Sequence, residues 1–237
     1  KIKTWSVSTG KEIFSDSIRI EQRNMRQKAH SLADMIYRSI TGKTSIFNSK
    51  IVFVSDRATF GRDTIKELYL MDFDGNRVEK LTNFQSVVIS PAVAPDNSSI
   101  LFSLIASHKE VSRNKVRTIK NIDLKMYDLK NKTFKTVSDK PGINSGAIFS
   151  ASGNSIYLTL SFSGNADIYE MELGSGKMRK VTNHYGDDVD PSVTQDGTLM
   201  SFLSNRAGRA HIYIANPSQT EKDVKRISFV GQFNATP

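Results

Sequence analysis

Along residues 51–228 one rhythm recurs: short runs in which apolar and polar residues alternate, each closed by a turn. The leading run of each unit is "IVFVS" (51–55), "ILFSL" (100–104), "IYLTL" (156–160) and "LMSFL" (199–203). Their starts lie 49, 56 and 43 residues apart, the spacing of propeller blades. A second alternating run follows each one: "ELYLMD" (67–72), "LKMYDL" (124–129), "DIYEMEL" (167–173) and "HIYIAN" (211–216). After turn residues comes a third: "VEKLT" (78–82), "FKTVS" (134–138), "MRKVT" (178–182) and "VKRIS" (224–228). A polar crossover then leads to a strand of small residues, "SPAVA" (90–94), "GAIFSA" (146–151) or "PSVTQ" (191–195). Asp, Asn and Gly close that strand with the positive φ or self-capping side chain a tight turn needs.

A four-stranded unit of this kind buries its faces only against its neighbours, which radial packing achieves while protecting most edges. Small residues suit an innermost strand, where backbones converge on an axis. The fold class predicted is therefore mainly β, a β-propeller of four-stranded blades. "IVFVS" has no innermost strand ahead of it, so the pattern gives three complete blades and one lacking its inner strand. Such an arc leaves raw sheet edges, and the expectation is that the chain is a piece of a longer protein.

Upstream the period changes. Met25, Ala29, Leu32, Ala33, Ile36, Tyr37 and Ile40 form an apolar stripe at helical spacing within 24–42, with Asn24 and Gln27 as a capping pair and Gly42 as the left-handed stop. "KTWSVSTGKEIFSDSIRI" before it reads as two strands around Ser8-Thr9-Gly10. The predicted division is 1–46, the end of a small α/β domain, and 47–237, an incomplete propeller.

Charge changes the picture only locally. The 237 residues carry a net charge of +9. Residues 1–50 hold ten Lys and Arg against four Asp and Glu, residues 106–122 five against one, and the remainder 18 against 19. The repetitive part is balanced, without the basic stripe and interleaved aromatics of a nucleic-acid binder. No nucleic-acid partner is expected, and no apolar run approaches the ~20 residues of a membrane span. With no cysteine, neither a disulfide scaffold nor a thiolate metal site is available. The basic insertion 106–122 lacks an apolar face and reads as a mobile hairpin extension, or as a segment that leans on anionic envelope polymers.

Candidate chemistry is sparse. His30 shares a helix ridge with Arg26 and Asp34, which reads as a polar cluster fixing the domain junction before it reads as a charge relay. His108, His184 and His211 lack a second ligand at metal spacing. No Gly-x-Ser-x-Gly and no phosphate loop occur. The crossover loop "NHYGDDVDP" gathers Asp187, Asp188 and Asp190 where a rigid scaffold would present them at the channel mouth. The three carboxylates suit a basic partner or Ca²⁺, or form a solvated acidic turn. Otherwise no cofactor is expected.

"MRQKAHSLADMIYRSITGKTSIFNSKIVFVSD" resembles the junction between N-terminal domain and propeller in the TolB family of the Tol–Pal system. The matching residues are Arg26, Ala29-His30, Asp34, Thr41-Gly42, Phe47 and Val54-Ser55, and "LYLMDFDGNRVEKLT" and "IYEMELGSGKMRKVT" are close to the family's repeats. Departures mark a divergent member: the usual Ser-Pro-Asp-Gly turn is "APDN", "SASG" and "TQDG", Ala147 replaces a proline, and the basic insertion is extra. The resemblance implies six blades closed by a C-terminal strand that completes the first. It implies a non-catalytic periplasmic scaffold serving outer-membrane integrity, cell division and protein transport. Such a scaffold would bind Pal, an outer-membrane lipoprotein that binds peptidoglycan, and would link to TolA through an N-terminal extension. By motif match the Pal contacts would be Ile143, Asn144, Gly146, Val189 and Asp190. The rival reading is the regulatory propeller of a prolyl-oligopeptidase-like or tricorn-like serine peptidase, whose members do not show the helix–Thr-Gly–Phe junction.

Overall fold

The computed structural model describes residues 2–19, 21–112, 115–219, 221–235 and 237. Strands β1 (Ile2–Trp5) and β2 (Glu12–Asp16) form an antiparallel hairpin, followed by helix α1 (Met25–Thr41). Then come β3 (Lys50–Ser55), β4 (Glu67–Asp72) and β5 (Glu79–Lys80) in one three-stranded sheet. Strands β6 (Val88–Val93), β7 (Ser99–Ser112), β8 (Lys115–Asp128) and β9 (Thr133–Ser138) make the next sheet. The third contains β10 (Asn144–Phe149), β11 (Ser155–Leu160), β12 (Asp167–Glu172) and β13 (Met178–Lys180). The fourth contains β14 (Asp188–Val193), β15 (Met200–Ser204), β16 (His211–Ala215) and β17 (Lys225–Arg226). Each sheet is ordered as its strands follow in the chain. These are four propeller blades, the first with three strands, as the repeat predicts.

Two compact units are present: residues up to Phe53 with Tyr69–Thr82, and Val54–Leu68 with the chain from Asn83 on. In the first unit α1 is held to the turn after β4. Asp74 accepts from Arg26 and lies 2.9 Å from His30 Nε2. Phe73 meets His30 and Phe47 edge-on at 5.0 and 5.6 Å. Asp34 instead accepts from the Ser45 amide and hydroxyl, and that hydroxyl holds its carboxyl below the usual range. His30 thus serves a structural contact within this unit. Gly42, at φ 71°, ends the helix and donates to Arg38 O at 2.8 Å. The Asn24–Gln27 cap does not form. Asn24 closes the preceding turn instead, its Oδ1 accepting from Glu21 N at 3.0 Å. No residue of the apolar stripe is fully buried.

In the second unit the period-2 pattern sends alternate residues of one blade to opposite neighbours. Ile156, Leu158, Leu160, Tyr169 and Met171 pack with Leu101 and Leu124 of the second blade. Tyr157 and Ile168 pack with Met200, Phe202 and Tyr213 of the fourth. A one-residue slip would exchange the two sets, so burial on both faces fixes register.

Outer strands β13 and β17 are shorter than the sequence pattern suggests because a hydroxyl replaces the last ladder bond. Thr182 Oγ1 accepts from Ile168 N at 3.0 Å, and Ser228 Oγ from Ile212 N at 2.9 Å. The second strands of the middle blades carry buried acids, Asp167 at the start of β12 and Asp123 within β8. Lys180 answers Asp167 at 2.7 Å and Lys125 answers Asp123 at 3.6 Å. In the fourth blade the counterpart is His211, facing Arg226 Nη2 at 3.2 Å. Burial, then Arg226 and Arg209, hold its imidazole below the ordinary histidine value.

An unfolded His211 therefore takes up a proton near pH 6.5 that the folded one refuses. Its stabilising effect is complete above that pH and is lost as pH falls. His211→Asp should restore the acid–base pair with Arg226. Thermal denaturation at about pH 7.5 and about pH 5.5 should show a smaller drop for this variant than for wild type. An equal drop would remove His211 from the acid sensitivity.

Candidate functional site

The crossovers leading into the inner strands lie at one end of the blades, and each is folded around a buried polar residue. Asn144 is fully buried. Its Nδ2 donates to Ile122 O and Lys140 O at 2.8 and 2.7 Å, and its Oδ1 accepts from Ser138 Oγ at 2.6 Å. Ser161 Oγ accepts from Ile143 N at 2.8 Å, fixing the tip of this loop to the next strand's end.

The fourth blade's crossover is fixed by Arg206. Its Nη2 reaches Asp188 Oδ2 at 2.9 Å and its Nη1 reaches Glu221 Oε2 at 3.1 Å. Its guanidinium lies over Phe202 and Tyr213 at 5.3 and 5.2 Å. Burial pushes the Asp188 carboxyl above the usual range despite the hydrogen bonds from Ser204 and Arg206. Asn205 brackets Asp187, accepting from its amide at 2.7 Å and donating to its Oδ2 at 3.1 Å. Gly186 fits because a Cβ there would stand 3.0 Å from the Arg206 backbone.

These constraints sort the predicted residues. Ile143, Asp187 and Val189 line a depression of ≈ 470 Å³ with Ser161, Ala166 and Leu203. Gly146 and Asp190 line a second, of ≈ 280 Å³, with Ser90 and Ala147 on the inner strands. Asn144 and Asp188 correct the sequence expectation: wholly buried, their side chains shape the loops and present no surface to a partner. The three loop aspartates do not converge either. Asp188 turns to Arg206, Asp187 to Asn205 and Asp190 to the inner strands, and among the described residues no acid or histidine cluster of metal-ligating form occurs.

Asp190 is distinctive in its backbone. Ser90, Gly146 and Asp190 all have left-handed φ, at 52°, 57° and 53°, and each sits at a register shift of its inner strand. For Ser90 and Asp190 that conformation costs roughly 1–2 kcal/mol. The bulge turns the Asp190 carboxylate over Gly146, where a Cβ would come within 2.6 Å of Oδ1. Asp190 remains open to the channel, yet burial by the surrounding protein raises its carboxyl above the ordinary range, with no cation among the described residues to offset this.

Sequence reasoning missed three contributors. Arg206 had a signal, since "SNRA" (204–207) repeats "SDRA" (55–58), and both arginines bond the serine two residues earlier. Ser90 precedes Pro91 as Asp190 precedes Pro191. Tyr185, 83% exposed on the acidic loop, is pinned by its hydroxyl donating to Arg206 O at 2.9 Å.

A β-propeller whose crossover loops present a recessed, partly acidic face is the class of protein these features define. The family model described as the TolB beta propeller domain matches residues 37–237, and the chain belongs to this TolB family. It is 31% identical over 204 residues to "Protein TolB homolog" of Chlorobium luteolum, covering 86% of this chain and 42% of the relative. To "Tol-Pal system protein TolB" of Rickettsia rickettsii it is 32% identical over 161 residues, 68% of this chain and 33% of that one. The crystal structure of TolB from Acinetobacter baumannii superposes with a TM-score of 0.79 at 27% identity, covering 98% of this chain and 55% of that one. The chain thus spans less than half the length of these curated relatives. Puromycin hydrolase shares the fold alone, with 13% identity and a TM-score of 0.53 over 69% of this chain.

Proposed function

We propose that the protein is a non-catalytic scaffold of the Tol–Pal system in the periplasm, which receives Pal at the loop end of its propeller and links to TolA. Outer-membrane integrity and cell division are the processes this assignment places it in. The observation that carries the reading is the loop end itself. Ile143, Asp187 and Val189 surround one depression, Asp190 opens onto the adjacent channel, and buried Asn144 and Asp188, with half-buried Arg206, hold the backbone between them. Preorganised loops lose little freedom on binding, and an exposed aromatic such as Tyr185 beside a pocket is the usual anchor of an interface. A basic partner would offset the cost of ionising Asp190.

Catalysis finds little support here. Among the described residues the histidines contact Asp74, Asp123, the Gly186 amide, and Arg226 with Asn234. None of these contacts is a hydroxyl awaiting a base. The peptidase alternative rests on fold alone and is separated by one comparison. A purified Pal domain should retain the protein in a pull-down, and a serine-directed activity probe should leave the full-length protein unlabelled. Labelling without Pal capture would reverse the assignment.

A further inference from the structure

The second blade carries an arm that its neighbours lack. Strands β7 and β8 are 14 residues each, against 6 for β11 and β12. Beyond Leu104 the ladder continues from Ile105↔Ile122 to Ser112↔Lys115, and at ~3.3 Å per residue this projects about 25 Å. Neither β6 nor β9 accompanies it, since β6 pairs only as far as Leu104 and β9 only as far as Leu124. The expected extension is therefore a continuous two-stranded arm.

Its base is built into the blade. His108 Nε2 lies 2.9 Å from Oδ1 of buried Asp123, and Asn121 Nδ2 donates to the same oxygen at 2.8 Å. Asn121 Oδ1 also accepts from Gly142 N at 2.8 Å. The arm consequently rises from the end of the propeller that bears the crossover loops. Past that base no described residue covers it. Lys109, Lys115, Arg117 and Lys120 are exposed with Glu110 as the one acid among the described arm residues. Near the tip, Val111 and Val116 face each other in register, 73% and 64% exposed. Ile119 follows at 44%. An isolated two-stranded ribbon is marginal in water, so exposed valines here are a cost unless something receives them.

We propose that this arm is a contact for an anionic lipid surface, with the valine pair entering the headgroup boundary and the four cations meeting lipid phosphates. Cations around an apolar tip match the charge and the layering of a bilayer interface. A purely polyanionic polymer would reward the cations and leave the valines in water, so lipid is favoured. The inference stands apart from the loop-end reading, because its residues lie on the arm and not in either depression.

The test is co-sedimentation of the protein with vesicles of phosphatidylglycerol and phosphatidylcholine, and with phosphatidylcholine alone. Binding is expected only to the anionic vesicles and should fall as salt shortens the screening length from about 10 Å at 0.1 M. Replacing Lys109, Lys115, Arg117 and Lys120 with serine should reduce it at least about tenfold. Val111→Ser with Val116→Ser should reduce it severalfold at unchanged charge. Matching thermal midpoints would show that the exposed-site variants remain folded. No binding by wild type, equal binding to both vesicle types, or an unaffected cation variant would overturn the proposal. Loss with the cation variant but none with the valine variant would assign the arm to a polyanion and overturn its lipid assignment.

Discussion

Arg206→Met is expected to destabilise the protein by about 3–5 kcal/mol at neutral pH, the range for breaking a buried ion pair from one side. The cost arises less from the lost attraction than from what remains. Asp188 has no exposed surface, and Arg206 is its cationic partner. Asp188→Asn with Arg206→Met removes both charges, so the double variant should recover much of the loss. The pH dependence has a definite sign. Without Arg206 the folded-state pKa of Asp188, already raised by burial, climbs further above its unfolded value. Stability then falls as pH rises between those two values, and the penalty should shrink on acidification. Urea denaturation of the single and double variants at two pH values measures all of this. A single variant as stable as wild type would mean that Arg206 does not carry the fourth crossover.

Leu158→Ala should cost about 2–5 kcal/mol, by the lost transfer energy and the cavity left behind. Leu158 is completely buried among residues of two blades, Leu101 and Leu124 on one side of the contact and Tyr169 and Met171 on its own. The midpoint of the whole propeller unit should fall as one transition, because the side chain joins neighbouring blades. A loss confined to β11 and β12 in hydrogen exchange would show instead that the blades fold independently.

How much of this was legible in the sequence follows from what each feature depends on. Strand positions were legible because period 2 is enforced by burial on both faces: Leu158 and Tyr157 must point apart whatever the loops do. The inner strands were legible through their small residues and Asp-Asn-Gly turns. The pairing of His30 with Arg26 was legible from helical spacing, although the acid that joins them, Asp74, lies 44 positions from His30 and no spacing rule reaches that far. The helix cap failed because Asn24 had a nearer donor, Glu21 N, to satisfy.

Site residues were legible only as a loop. Asp187, Asp188 and Asp190 look equivalent in "GDDVDP", yet one is bracketed by Asn205, one is buried against Arg206 and one opens onto the channel. Alternation along the emerging strand separates Asp188 from Asp187, and the bulge then re-aims Asp190. Neither could be assigned before the register was known. The left-handed residue at the same step of three inner strands shows only in part, since Ser90 and Asp190 share a following proline while Gly146 is followed by Ala147.

The central claim, that the loop end receives Pal, is tested most directly by calorimetric titration of a Pal domain into wild type, Asp190→Asn and Asp190→Lys. Asn tolerates the left-handed backbone and removes only the charge, so it separates electrostatics from misfolding. Wild type should bind, Asn should bind more weakly, and Lys should lose at least about tenfold by placing a like charge before a basic partner. Equal affinities across the three proteins would contradict the account and move the partner surface elsewhere.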